Sequence, residues 1–176
     1  QMAEKTGAFT VTFTKDKADL NAENLKKYDG LMFNNTTSLK LDDAQRKAIV
    51  DFVNGGKGMM GVHSASDNFG CCPELSDLLG GQFDGHPWGS GTTVTINVHD
   101  PENPMMKPFG HEFTIKDEIY QYKNWQPEKV RVLMSLDMTR CTPSEPRHVP
   151  VAWVKSYGDG KVYFNNVLAL PLVLLL

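Results

Sequence analysis

Two short apolar runs, each followed by a capped helical pattern, limit this chain to a small set of folds. "GLMFNN" (30 to 35) leads to Asp42, which can cap a helix whose Ala48, Ile49, Phe52 and Val53 fall at helical spacing, and Gly55-Gly56 stops that helix. "GMMGVHS" (58 to 64) leads to Pro73 at a first helical position, then Leu75, Leu78 and Leu79 on one face, with Gly80-Gly81 as terminator. Continuous apolar strands alternating with helices imply a parallel sheet with helices on both faces. The expected fold class is therefore α/β. In such sheets ligand crevices open outside the carboxyl ends of the strands, and residues 34 to 37 and 63 to 68 occupy two such ends.

The rest of the chain extends this plan. "FTVTFT" (9 to 14) alternates as a strand does, and the polar stretch after it has room for a short helix around 21 to 27. The second half is strand-rich: "TTVTINVHD" (92 to 100), "HEFTIKDEIYQY" (111 to 122), "VRVLMSLDM" (130 to 138) and "VPVAWVKSYGDGKVYFNNV" (149 to 167), with Asp159-Gly160 as the hairpin turn. These strands are expected to extend the sheet, partly antiparallel. No repeat or linker composition divides the chain, so residues 1 to 176 are expected to form one domain. The opening "QMAEKTG" is helix-like. The closing "VLALPLVLLL" is about half the ~20 residues a membrane span needs, and it contains Pro171. It reads as a buried terminal segment or an atypical tail.

Charge removes some function classes. A net charge of −3 with the 18 basic residues scattered along the chain gives no footprint for nucleic acid. Three cysteines, two of them adjacent as Cys71-Cys72, make neither a disulfide framework nor a CxxC metal pair. The compartment is thus open between cytoplasmic and secreted or periplasmic, and the oligomeric state is open as well. The chain contains no GxSxG, GxxxxGK[ST], HExxH or GxGxxG, so hydrolase-elbow, P-loop, zincin and dinucleotide mechanisms lack their local parts.

Three places hold candidate chemistry. His63 stands where a strand becomes a loop, followed by Ser64, Ser66 and Asp67; a backbone-bonded histidine and a catalytic one are both compatible with that position. "FDGHPW" (83 to 88) places His86 beside Trp88 in a compact loop, where the ring either covers core or stacks on a sugar face. In "KDEIYQY", period-two alternation sets Glu118, Tyr120 and Tyr122 on one side of a strand and Asp117 on the other, so Glu118 with Tyr120 is the better site pair and Asp117 the structural acceptor. His99, His111 and His148 lie by charged or proline-rich turns and read as surface residues.

The order of "YDGLMFNNTT", "GMMGVHSASDNF", "GGQFDGHPW", "DEIYQY", "RVLMSLD" and "PVAWVKSYGDGKVYF" resembles the ThuA-like (trehalose utilisation) family over about residues 1 to 165. The resemblance implies the flavodoxin-like, three-layer fold of the class I glutamine amidotransferase-like superfamily, with a mainly parallel central sheet and added antiparallel strands. In true amidotransferases the elbow reads G-x-C-x-G; here "GVHSA" puts His63 in the place of the cysteine, so thioester chemistry on glutamine is expected to be absent, and Cys71 and Cys72 fall after the elbow. Two departures accompany the likeness. The first strand with its His-bearing loop is lacking, and "NNVLALPLVLLL" stands where family members have a Gly-His pair.

The resulting expectation is a carbohydrate-utilisation domain that binds a sugar or keto-sugar derivative. Asp67, His86, Trp88 and Tyr120 would contact the substrate, while His63 and Glu118 would move a proton at a hydroxyl or next to a carbonyl. A variant has His63, His86 and Glu118 hold a divalent metal such as zinc. The rival class is a non-catalytic sugar-binding or assembly module of a larger protein. For either site reading, His63, His86 and Glu118 should meet within roughly 10 Å at the carboxyl edge of the sheet.

Overall fold

The computed structural model describes Ala3, Lys5 and residues 7–68, 72–144 and 148–167. The helix-like opening, Cys71 and the apolar tail after Val167 therefore lie wholly or mostly outside the described residues. Seven strands form one sheet in the order β1-β2-β9-β8-β7-β4-β5. They are β1 (Gly30–Asn34), β2 (Gly58–Val62), β4 (Thr93–Val98), β5 (Glu112–Lys116), β7 (Val130–Leu136), β8 (Pro150–Tyr157) and β9 (Gly160–Asn165). Two short strands, β3 (Gln82–Phe83) and β6 (Tyr122–Lys123), pair separately. The pairs β1–β2 and β2–β9 are parallel, and every pairing from β9 across to β5 is antiparallel. The fold is α/β about a mixed central sheet, with its parallel part at one end.

The helices follow from local sequence. Asn21 caps α1 (Ala22–Leu25) by accepting from the amide of Asn24. For α2 (Asp43–Asn54) the Asp42 carboxylate accepts from the Gln45 amide at 2.9 Å while the Gln45 side chain accepts from the Asp42 amide at 3.0 Å, a reciprocal box that satisfies two amides lacking helical partners. Pro73 opens α3 (Pro73–Leu79), and Gly80 closes it in the left-handed region at φ 92°. Buried residues of all three helices, including Leu25, Ile49, Val53, Leu75, Leu78 and Leu79, join Phe33, Met59, Trp153, Val162 and Phe164 in one cluster on one sheet face. Within it Trp153 stacks on Phe164 at 4.4 Å, meets Tyr122 and Trp125 edge-on at 5.0 and 4.8 Å, and donates its indole N–H to the Leu79 carbonyl at 2.8 Å.

The other face differs from the expectation of a second helical layer. Among the described residues its cluster is built from strand residues such as Val94, Ile96, Leu133, Ala152 and Tyr163, together with Trp88, Ile119 and the loop residue Met106, against which Phe109 of a single helical turn packs. No helix among the described residues is long and apolar enough to cross a membrane.

Three local expectations are corrected. "FTVTFT" forms no strand: Val11 and Phe13 are 67% and 76% exposed. Alternation marks strand potential, but a strand forms only where a neighbour takes its backbone hydrogen bonds. The run 111 to 122 is also not one strand. β5 ends at Lys116, the Asp117 carboxylate turns back to accept the Glu118 amide at 2.8 Å, and the chain re-enters pairing at the Ile119–Trp88 bridge and β6. The hairpin loop is Gly158-Asp159, one residue earlier than read, because Tyr157 pairs with Gly160. This hairpin is seated on the end of α2, where the Asp159 amide donates to the Asn54 carbonyl at 3.1 Å.

Candidate active site

The site stands on three strand ends in register. Asn34 of β1 lies beside Val62 of β2, and Val62 beside Asn165 of β9, all three strands running the same way. The next residue on each is Asn35, His63 and Asn166. His63 turns sharply off β2 at φ 50°, a region that residues with a side chain enter rarely, and begins the single-turn helix His63–Asp67. Gly61 permits that turn to lie close: a Cβ there would come within 2.9 Å of Phe164, 3.1 Å of Leu79 and 3.3 Å of Ala65.

His63 is buried, and both ring nitrogens are occupied. Nδ1 lies 2.7 Å from the Asn166 carbonyl oxygen, which can only accept, so Nδ1 carries the proton. In the neutral ring Nε2 is then a bare acceptor. It lies 3.0 Å from the Tyr120 hydroxyl and 3.3 Å from Glu118 Oε2. Burial first, and the neighbouring Glu118 charge second, raise the Tyr120 hydroxyl well above the usual phenol range, so it remains a proton donor at neutral pH. The other carboxylate oxygen of Glu118 lies 3.6 Å from Nδ1 of the exposed His86. His63, Glu118 and His86 thus form a chain in which Glu118 stands between the two imidazoles.

Pairing with the 119 to 123 segment brings His86 there. The Asp84 amide donates to Gln121 O and the Gln121 amide to Gly85 O, extending the β3–β6 ladder toward the Trp88–Ile119 bridge. Gly85, at φ 105°, makes the bend. Phe83 packs beside the cluster, edge-on to Tyr120 at 4.4 Å and stacked with His86 at 6.0 Å.

Around the turn after His63, polar side chains join the two strand-end loops. Ser64 donates to Asn35 at 2.8 Å, Thr37 donates to Asp67 at 2.7 Å, and Asn68 donates to Thr36. Asp67 is exposed with its carboxylate on this rim, and its charge adds to the upward push on Tyr120.

The structure therefore brings together His63, His86, Glu118 and Tyr120, with Asp67 on the rim. Trp88 is a correction: its ring is fully buried in the second core cluster and offers no face to a sugar, whereas Phe83, at the other end of the same loop, is the ring beside the site. Asp117 holds the Glu118 amide. His99, His111 and His148 are exposed. Asn166 was not singled out in the sequence; the only local signal was that it directly follows an apolar strand. Among the described residues, no group of three or more His, Cys, Asp and Glu side chains is arranged so that it could hold a metal ion. Cys72 and Cys141 are buried.

Chemically, the cluster offers an imidazole whose Nε2 faces it, a carboxyl group, and a phenol that stays protonated beside them. This set can accept a proton from a substrate and return one to it. It contains no thiol nucleophile.

The fold is shared with proteins of known structure. No curated protein sequence matches the chain. A ThuA-like protein from Bacteroides uniformis has 24% identity and a TM-score of 0.77, over 94% of this chain and 70% of that one. A second, from Parabacteroides merdae, has 16% identity and a TM-score of 0.71, over 93% and 70%. A β-galactosidase from Bacillus circulans sp. alkalophilus shares the fold at 12% identity and a TM-score of 0.57, with 81% of this chain matching 20% of that enzyme. The family described as "ThuA: Trehalose utilisation" matches residues 1–167, and the chain belongs to it.

Proposed function

We propose that this chain binds a sugar or keto-sugar derivative at the His63–Tyr120–Glu118–His86 cluster and moves a proton there. The observation that supports this most is the position of His63 Nε2, 3.0 Å from the Tyr120 hydroxyl and 3.3 Å from the Glu118 carboxylate at the carboxyl edge of the parallel strands. Glu118, open to the surface beside His86, takes the proton from a carbon next to a substrate carbonyl. When substrate binds, the single hydroxyl proton of Tyr120 turns from His63 Nε2 to the oxygen that becomes an enolate, and Nε2, freed of that bond, takes up a proton from a substrate hydroxyl. His86 and Asp67 meet substrate hydroxyls at the rim.

The second reading is a sugar-binding or assembly module without catalysis, favoured by the occurrence of the same fold as one part of a much longer β-galactosidase. The two readings separate in one experiment. The protein is screened by thermal shift against trehalose, simple aldoses and ketoses, and keto-disaccharides, with and without EDTA, and any binder that has a carbonyl is incubated in D2O and followed by NMR. The expected result is deuterium entering the position next to the carbonyl, lost in Glu118→Gln. Binding without exchange supports the module, no binding refutes both sugar-binding readings and leaves an assembly role, and exchange abolished by EDTA refutes the metal-free proton transfer. Ammonia release from glutamine, measured on the same samples, is expected to be absent because the elbow bears His63.

A further inference from the structure

Asn166 follows β9, is fully buried, and has every polar atom engaged. Its amide donates to Val151 O at 2.8 Å, and its carbonyl accepts from His63 Nδ1 at 2.7 Å. Its side-chain oxygen accepts from the Tyr120 amide at 3.1 Å and the Tyr122 hydroxyl at 2.8 Å, while its side-chain NH2 donates to the Glu118 carbonyl at 2.9 Å. One residue thus contacts both halves of the cluster. We infer that Asn166 is the positioning residue of the site: its main chain sets the tautomer of His63, and its side chain holds residues 118 to 122 so that Glu118 and Tyr120 face the bare Nε2.

The argument is one of donor and acceptor count. The segment 117 to 121 leaves β5 before it reaches β6, so its backbone groups lack ladder partners on the site side. An amide presents an acceptor and a donor from one short side chain, matching the Tyr120 N–H and the Glu118 C=O together. Aspartate lacks the donor, alanine lacks both, and glutamine places the same groups one methylene further out. Because the side chain is clamped at three points, the peptide carbonyl of Asn166 is clamped as well, and that carbonyl determines which nitrogen of His63 carries the proton.

This inference rests on the proton-transfer reading of the cluster, yet its test needs no substrate. In uniformly 15N-labelled protein, long-range 1H–15N correlation spectra above pH 8 report the tautomer of each neutral imidazole, and His63 is assigned by the signals missing from His63→Asn. Wild type is expected to show His63 protonated at Nδ1 and bare at Nε2. Tyr122→Phe removes one bond to the same Asn166 oxygen and is expected to lower stability without altering that pattern. Asn166→Ala and Asn166→Asp are expected to give a mixture of tautomers; if the alanine variant does not fold, the aspartate variant, which keeps the acceptor, decides the matter. An Nε2–H tautomer in wild type overturns the inference. So does a single unchanged tautomer in the folded Asn166 variants, since Asn166 would then be structural only. If the tautomers behave as expected but no sugar binds or exchanges, the proton-transfer reading fails while the positioning stands.

Discussion

Gly160 offers a sharp test of how β9 is mounted. A Cβ at this position would lie 2.0 Å from the Val53 carbonyl oxygen and 2.5 Å from that of Lys57. Both are main-chain atoms at the end of α2, so no side-chain rotation relieves the contact, and the hairpin must withdraw by more than ~1 Å to reach ordinary van der Waals separation. That withdrawal breaks the Asp159 N–H bond to Asn54 O, a net loss of about 1 kcal/mol. Overpacking adds roughly 1–3 kcal/mol, offset in part by about 0.4–1 kcal/mol from the stiffer unfolded chain. Gly160→Ala is therefore expected to destabilise by about 2 kcal/mol, which for a chain of this size lowers the melting temperature by roughly 4–8 °C. Gly89→Ala is the matched control, because nothing lies within 4 Å of its added Cβ. Thermal melts followed by far-UV circular dichroism, with urea titrations for the free energies, compare the two variants. Melting temperatures within about 2 °C of each other would refute the reasoning and show that the hairpin does not bear on α2 as described.

Two further outcomes are expected. The Tyr163 hydroxyl is buried with no hydrogen-bond partner among the described residues, so Tyr163→Phe should raise stability by about 1 kcal/mol in urea titration; a loss of that size would mean that the hydroxyl has a partner. Arg140 bonds to Glu112 and Asp137; it holds the Glu112 carboxyl below its ordinary range, and Thr139 followed by Arg140 does the same for Asp137. Carboxyls depressed in the folded state stabilise above their unfolded values and lose that contribution as pH falls through the folded ones. The melting-temperature gap between wild type and Arg140→Gln should thus be present at pH 7 and close below about pH 4; a gap that widens in acid would contradict this sign.

The β-α core was legible because its signals are local. An apolar run, a cap three residues before its partner and a terminating glycine pair all lie within one short window, as at Asp42–Gln45 and Gly80. His63 was legible for the same reason, being the first residue past a buried strand. The approach of His86 and Glu118 depends on pairing between the 82 to 88 loop and residues 119 to 123, more than thirty positions apart, which periodicity does not encode. Trp88 was ambiguous because a large ring in a loop serves a core as well as a ligand, and only its burial decides between them. Asn166 was illegible: an asparagine after a strand resembles any turn residue until the five groups around it are seen. The exposed "FTVTFT" shows the converse, a strong local pattern with no partner to realise it.

The arrangement of the tryptophans gives the molecule a built-in optical reporter for each side of its sheet. Trp153 and Trp125 stand 4.8 Å apart at 70°, close enough for their excited states to couple and give a paired near-ultraviolet dichroic band, whereas Trp88 is fully buried in the cluster on the opposite face. Tyr122, packed edge-on against Trp153, also bonds to Asn166, so the coupled band is tied to the ground on which His63 sits. Loosening of the helical layer would quench that band and leave the emission of Trp88 blue-shifted. Solvent entry from the other face would red-shift Trp88 first, so the order of the two signals on heating tells which side of the sheet opens.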